Sequence, residues 1–273
     1  MTKQPVLFID SGIGGIPYCD HFHRRNPGES IVYIADRRHF PYGKRERNEL
    51  LAILSALTEQ AVKKFNPKIA VLACNTAGIS ALSGLRERFP GLPFVGTVPA
   101  VKPAILATKT GKIGVLGTEL TVRESYIKEL ADENGGGNVF GIAAPELVEF
   151  VEERAASAST DEKIQTVRGY VNRFRAAGVD VLVLGCTHFV FLIDEFKQEA
   201  SPDITVFDSI KGVTQRVESL LAETGNGGED TAVNDEPRRT NNRLFLTGSA
   251  PPEPSWVYLA DRLGFSVSLL EEA

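Results

Sequence analysis

The chain has 273 residues, 42% of them hydrophobic and 24% charged, which suits a globular protein able to bury one large or two medium α/β cores. Its net charge of −5, from 30 basic and 35 acidic side chains, argues against a nucleic-acid binder, and no apolar run approaches the roughly 18 residues of a membrane span. Three cysteines, Cys19, Cys74 and Cys186, are too few and too scattered for a disulfide framework, so free thiols in a reducing cytoplasm are expected.

The first residues run directly into a strand at Val6 to Ile9, so no leader is expected. Asp10-Ser11-Gly12-Ile13-Gly14-Gly15 then reads as a tight loop before an amphipathic helix. The loop partly matches a dinucleotide fingerprint, but Pro17 stands where a third glycine belongs. Backbone amides cradling a carboxylate are as apt there. A strand from Ser30 to Ile34 leads to Asp36, a turn marked by Pro41 and Gly43, and a helix carrying Leu50, Leu54, Leu57, Ala61 and Phe65 on one stripe. Next come a strand from Ile69 to Ala73, a helix from about Gly78 to Phe89, and a short strand at Pro93 to Val95.

The pattern then restarts. Lys112 to Leu116 reads as a strand, Gly117-Thr118 as a loop, Thr121 to Leu130 as a helix, residues 134–137 as a turn and Val139 to Ala143 as a strand. Ser159-x-x-Glu162 is a capping box opening a helix that Gly178 ends, and Val181 to Leu184 is a strand. A strand near Thr205, a helix from Val213 to Leu221, a long polar loop at 224–241, a strand from Arg243 to Thr247 and a helix from Trp256 to Leu263 complete the chain. Alternating strands and helices predict parallel sheets.

Leu184-Gly185-Cys186-Thr187-His188 and Leu72-Ala73-Cys74-Asn75-Thr76 are two buried-strand runs, each ending on a thiol with polar neighbours. Open α/β sheets place ligand chemistry at such carboxyl ends. Asp10 precedes Cys74 by 64 residues and Thr118 precedes Cys186 by 68, which points to an internal repeat carrying one thiol per half. Proton exchange at a carbon uses a base on one face and an acid on the other, with roles exchanged in reverse, so two like residues suit it. A thiol with pKa near 8.5 is only about 3% ionised at pH 7, a cost of about 2 kcal/mol unless its surroundings help. Asp10 and Ser11 could assist one thiol, His188 the other, and a helix beginning after either would favour its thiolate.

Taken singly, each cysteine is as well read as a small core hydrophobe. Cys19 has only that reading, and Cys19-x-His21-x-His23 lacks metal-ligand spacing, so no metal site is expected. His39, Arg37 and Arg38 read as solvated loop residues.

Phe8 to Gly15, Asp36 with Pro41-Tyr42-Gly43, Ala73 to Ala77 and Gly185 to His188 together make the chain resemble the glutamate racemases, within the aspartate/glutamate racemase superfamily. Weaker likeness runs through Gly117-Thr118, Thr121, Leu147-Val148-Glu149 and Phe245 to Gly248. The resemblance implies a cofactor-independent enzyme that interconverts L- and D-glutamate for peptidoglycan. Its implied fold is two pseudo-symmetric parallel-sheet α/β domains, residues 1–97 plus 209–273 and residues 98–208, with the active site in the cleft between them. It implies Cys74 and Cys186 as the opposed acid and base, with Asp10 beside the first and His188 and Glu149 beside the second. It further implies substrate contacts from Ser11, Pro41, Tyr42, Gly43, Asn75, Thr76, Thr118, Thr121 and Thr187. Glutamate is then the small-molecule partner, with neither membrane nor nucleic acid, and pairing into a homodimer stays open.

The chain departs from the family pattern at Gly96 to Ala100, at Phe189 to Leu192 and at Glu146. Three other readings stay open. Another racemase of the superfamily would act on aspartate or a hydantoin. A hydrolase would use Cys186 as nucleophile and leave Cys74 dispensable. A binding protein would take up glutamate without exchanging its α-hydrogen.

Overall fold

The computed structural model describes residues 4–133, 136–223 and 242–271. In chain order its elements are β1 (Val6–Asp10), α1 (Ile16–Arg25), β2 (Ile31–Ala35), α2 (Arg47–Phe65), β3 (Ile69–Leu72), α3 (Asn75–Arg88), β4 (Phe94–Gly96), α4 (Val101–Ala107), β5 (Lys112–Gly117) and α5 (Glu124–Glu133). They continue with β6 (Asn138–Ala143), α6 (Pro145–Glu153), α7 (Thr160–Ala176), β7 (Val181–Gly185), α8 (Ile193–Ala200), β8 (Thr205–Phe207), α9 (Ile210–Glu223), β9 (Arg243–Leu246), α10 (Pro254–Leu263) and β10 (Ser266–Leu269). Short 3-10 turns cover Arg37–His39, Tyr42–Lys44 and Thr187–Leu192. The polar loop expected at 224–241 and the first half of the turn expected at 134–137 lie outside the described residues.

The chain divides into two compact units, residues 1–97 with 210–273, and residues 98–209. The first holds a parallel sheet ordered β10-β9-β2-β1-β3-β4 and the second a parallel sheet ordered β6-β5-β7-β8. The run β2-β1-β3-β4 and the run β6-β5-β7-β8 have the same order, each with its first strand inside and its second to one side. Both units are thus built on one plan, and the first adds β9 and β10 beyond β2.

Central strands β1, β2, β3 and β7 are buried at every residue, because helices cover both faces of each sheet. In the first unit, Leu50, Leu54, Leu57 and Ala61 of α2 and Ala77, Ala81 and Leu85 of α3 pack on Leu7, Ile9, Ala70 and Leu72. In the second, Val101 and Ala104 of α4 pack on Ile113, Val115, Val181 and Val183. Ser159 caps α7 by accepting from the Glu162 N–H at 3.2 Å, and Gly178, at φ +74°, closes it in the left-handed region.

Two of the helix starts that differ from the sequence expectation bear on function. Helix α3 begins at Asn75, three residues earlier than expected, so Cys74 is its N-cap and the Gly78 N–H donates to the Cys74 carbonyl at 2.9 Å. Helix α5 begins at Glu124 and not at Thr121, because a turn closes first: the Val122 N–H donates to the Thr118 carbonyl at 3.1 Å. The short helices α4, α6 and α8, and the strand β10, go beyond the sequence reading.

Candidate active site

In the first unit the carboxyl ends of adjacent strands deliver Asp10, Asp36 and Cys74 to one edge of the sheet. Register sets this: the Asp36 N–H donates to the Asp10 carbonyl at 2.8 Å, and the Ala73 N–H to the Ile9 carbonyl at 2.8 Å. Asp10 is fully buried, and its Oδ1 accepts from the Ser11 N–H at 2.6 Å. Cys74 stays 8% exposed at the head of the 14-residue α3, where the helix dipole favours an anion. Next to it, Asn75 is 1% exposed, and neither its Oδ1 nor its Nδ2 has a hydrogen-bond partner among the described residues. A buried amide without partners costs stability, so a site that keeps one is ready for a polar ligand.

Tyr42 is buried, and its hydroxyl donates to Asp36 Oδ2 at 2.8 Å. Burial, then Asp36, pushes the phenol well above its usual pKa, with smaller pushes from Cys74 and Asp10. The glycine loop has a packing cause. None of Gly12, Gly14 and Gly15 takes a positive φ, but a Cβ on Gly15 would stand 2.8 Å from the Ala73 Cβ, so the loop can close against the end of β3 only as glycine.

In the second unit the equivalent ends bring together Thr118, after β5, and Cys186, after β7, since Gly117 pairs with Gly185. Cys186 is 5% exposed, and its Sγ lies 3.8 Å from His188 Nδ1. The other ring nitrogen, Nε2, lies 2.7 Å from Glu152 Oε1. Burial alone would lower the imidazole's pKa, but its hydrogen bonds to Cys186 and Glu152, and their charges, outweigh burial and hold it well above the usual histidine value. The result is a thiol, an imidazole that can donate or accept, and a carboxylate behind it.

Several expectations need correction. The carboxylate that meets His188 belongs to Glu152, whereas Glu149, one turn earlier on α6, is exposed. Leu147, Val148, Phe150 and Val151 set the buried stripe of α6; on that wheel Glu149 falls opposite and Glu152 on the flank. Thr121 is fully buried, with its side chain over Gly117 and Gly185 and its hydroxyl 3.0 Å from that of Thr118. That placement braces Thr118 from behind. His39 is no solvated bystander, since its Nδ1 lies 2.9 Å from Asp36 Oδ2. Arg37 pairs with Glu253 at 2.5 Å.

The remaining sequence candidates are divided between the units: Ser11, Pro41, Tyr42, Gly43, Asn75 and Thr76 belong to the first and Thr187 to the second. Ser11, Thr76 and Thr187 are buried, at 2%, 2% and 1% exposure. Cys19, His21 and His23 diverge: Cys19 is buried in the core, His21 meets the Thr214 hydroxyl at 2.9 Å, and His23 stacks edge-on against Phe265. Among the described residues no group of three or more His, Cys, Asp or Glu could hold a metal, and no helix is long and apolar enough to cross a membrane.

Residues 21–217 match the family model described as Asp/Glu/hydantoin racemase. A glutamate racemase from Roseiflexus sp. (strain RS-1) is 39% identical over 225 residues, 82% of each chain. Among solved structures, the chain is similar to the Escherichia coli glutamate racemase in complex with L-glutamate and the activator UDP-MurNAc-Ala, with a TM-score of 0.82, 27% identity and 97% of both chains covered. It is also similar to a glutamate racemase isoform from Bacillus anthracis, with a TM-score of 0.79, 32% identity and 99% and 98% of the two chains covered. The chain belongs to the Asp/Glu/hydantoin racemase family, on the branch of the glutamate racemases.

Proposed function

We propose that the protein interconverts L- and D-glutamate without a cofactor, with Cys74 and Cys186 serving opposite faces of the α-carbon, and that the D-glutamate feeds peptidoglycan synthesis in the cytoplasm. The observation that carries this reading is the repeated strand order, which brings one slightly exposed thiol to the same position in each unit.

In one direction the thiolate of one cysteine takes the α-hydrogen as a proton. The electron pair left on carbon spreads into the substrate carboxylate, and the opposite thiol returns a proton from the other face. The roles reverse in the other direction. Asp10 stands on the Cys74 side as carboxylate partner. His188, poised by Glu152, stands on the Cys186 side and can hold or pass a proton at Nδ1. Asn75, with Ser11, Thr76, Thr118 and Thr187, supplies polar groups for the substrate's carboxylates and ammonium. The family relation and the glutamate bound in the Escherichia coli structure support this substrate.

A second reading has one observation in its favour: Cys186, His188 and Glu152 form a thiol–imidazole–carboxylate series of the kind cysteine hydrolases use. It leaves Cys74 without a role. Incubation with L- or D-glutamate in deuterated water separates the two. Racemisation puts solvent deuterium at the α-carbon, and Cys74→Ala and Cys186→Ala each abolish the interconversion. No α-deuterium, or a Cys74→Ala protein that racemises at the parent rate, would sink the proposal. Because Asp10 and His188 sit on different sides, Asp10→Asn and His188→Asn should slow the two directions unequally.

A further inference from the structure

Asp36 takes no part in the proton exchange proposed above, yet three side chains converge on its carboxylate. It is 1% exposed. The Tyr42 hydroxyl donates to its Oδ2 at 2.8 Å and the Thr247 hydroxyl to its Oδ1 at 2.7 Å. His39 Nδ1 lies 3.0 and 2.9 Å from the two oxygens, and the backbone N–H of Asp36 holds the Asp10 carbonyl. An ionised carboxylate only accepts, so the single hydrogens of both hydroxyls are committed to it.

The segment so gripped is the Pro41–Gly43 turn, which the resemblance assigns to substrate. Two short-range hydrogen bonds shape it: the Lys44 N–H reaches the Pro41 carbonyl at 3.2 Å and the Arg45 N–H the Tyr42 carbonyl at 3.1 Å. Three-residue 3-10 turns have poor hydrogen-bond geometry, so an outside anchor decides where such a turn sits. Thr247 in turn is fixed from both sides, since its N–H donates to the Ala35 carbonyl at 3.0 Å and its hydroxyl oxygen accepts from the Arg38 N–H at 3.1 Å.

We propose that Asp36 is a positioning residue of the site: through the Tyr42 hydroxyl it sets where the Pro41–Gly43 turn meets the substrate, and Thr247, from the end of β9, holds the carboxylate in place. The substrate part of this proposal rests on the racemase reading; the part about the turn does not.

Two measurements test it, each preceded by circular dichroism to verify folding. A misplaced turn weakens substrate binding in ground and transition states alike, so Asp36→Ala should raise KM for both enantiomers about tenfold while kcat falls less than about threefold. Asp36→Asn keeps an acceptor oxygen and adds an N–H that a hydroxyl oxygen can accept, so it should return KM to within about twofold of the parent. Thr247→Val, a milder change in case Asp36→Ala does not fold, should raise KM about threefold. The second measurement is amide hydrogen exchange over residues 37–46, which should quicken in Asp36→Ala and Thr247→Val and stay slow in Asp36→Asn. An unchanged KM in the folded variants, an Asn variant as defective as the Ala variant, or parent-like exchange in Asp36→Ala overturns the proposal. If the parent itself moves no deuterium to the α-carbon, the racemase reading falls, and the amide exchange still decides whether Asp36 holds the turn.

Discussion

Glu152 Oε1 lies 2.7 Å from His188 Nε2, while the opposite ring nitrogen faces Cys186 Sγ at 3.8 Å. This contact identifies the carboxylate whose loss should matter. Glu152→Gln keeps the shape and removes the charge that favours the imidazolium, so kcat should fall at least about tenfold. Glu149→Gln, on the exposed face of α6, should stay within about twofold of the parent, a surface change by comparison. A reversed order in the two variants' kinetics would return the role to Glu149.

The same contact predicts a pH effect. His188's pKa is held well above that of an unfolded histidine. A raised pKa stabilises the fold fully below the unfolded value, near 6.5, and that contribution is lost as pH rises through the folded value. Denaturant midpoints of the parent and of His188→Gln should therefore converge toward alkaline pH and diverge below neutrality. A constant gap from pH 5 to pH 10 would contradict this.

Asp180 provides a test at the opposite end of the pH scale. Burial pushes this carboxyl up, but hydrogen bonds from the Thr108 and Thr110 hydroxyls and the Lys109 and Thr110 N–H groups outweigh it and bring the pKa down to about 2. A depressed pKa contributes stability above the unfolded value, near 3.9, and loses it as pH falls toward the folded one. Asp180→Asn should flatten the acid limb of the stability profile between pH 4 and pH 2, followed by urea unfolding. An unchanged limb would mean that the Thr108–Thr110 loop does not hold Asp180 in solution.

Gly78 allows a packing test of the Cys74 neighbourhood. A Cβ there would stand 2.3 Å from the backbone oxygen of Thr97, which cannot swing aside as a flexible side chain can. Gly78→Ala should push the first turn of α3 off the end of β4, costing about 1–3 kcal/mol in denaturant titration and disturbing Asn75 and Thr76. A variant as stable as the parent would show that α3 is not seated so closely.

At the end of the sheet away from the candidate site, Lys68 Nζ lies 2.5 Å from Glu29 Oε2, with the side chains 6% and 9% exposed. The pair is in ionic contact but not aligned as a hydrogen bond. Removing one partner strands a buried charge, so Lys68→Met should cost about 3–5 kcal/mol, and Glu29→Leu in the same chain should recover most of it. Equal stability of the single and double variants would argue against the pair.

The strands, the repeat and the two thiols were legible because each is written locally: an apolar run, a small residue, a cysteine, then polar side chains. The order β2-β1-β3-β4 and its counterpart β6-β5-β7-β8 then followed the expected two-domain α/β plan. What escaped was written elsewhere in the chain or in helix phase. Four glutamates stand on α6, and only the orientation of its apolar stripe selects Glu152 over Glu149. The Asp36–Thr247 bond spans 211 residues, and neither residue's neighbours announce it. That Cys74 itself is the N-cap was not legible, because the helix was expected only from about Gly78, whereas Asn75 and Thr76 already form its first turn.

Strand β9 pairs with β2 from Val32 to Ala35, and it is built from residues 243–246. Until those residues are made, β2 presents a bare hydrogen-bonding edge in the middle of its half of the protein, and Asp36 lacks Thr247. The unit encoded by residues 98–209 has no such debt to later sequence. During synthesis, then, every strand of the half bearing Cys186 is made before β9, while the sheet of the half bearing Cys74 waits for residues 243–246. A ribosome that stops short of residue 243 leaves a chain with an open, sticky sheet edge and no Thr247 hydroxyl on Asp36.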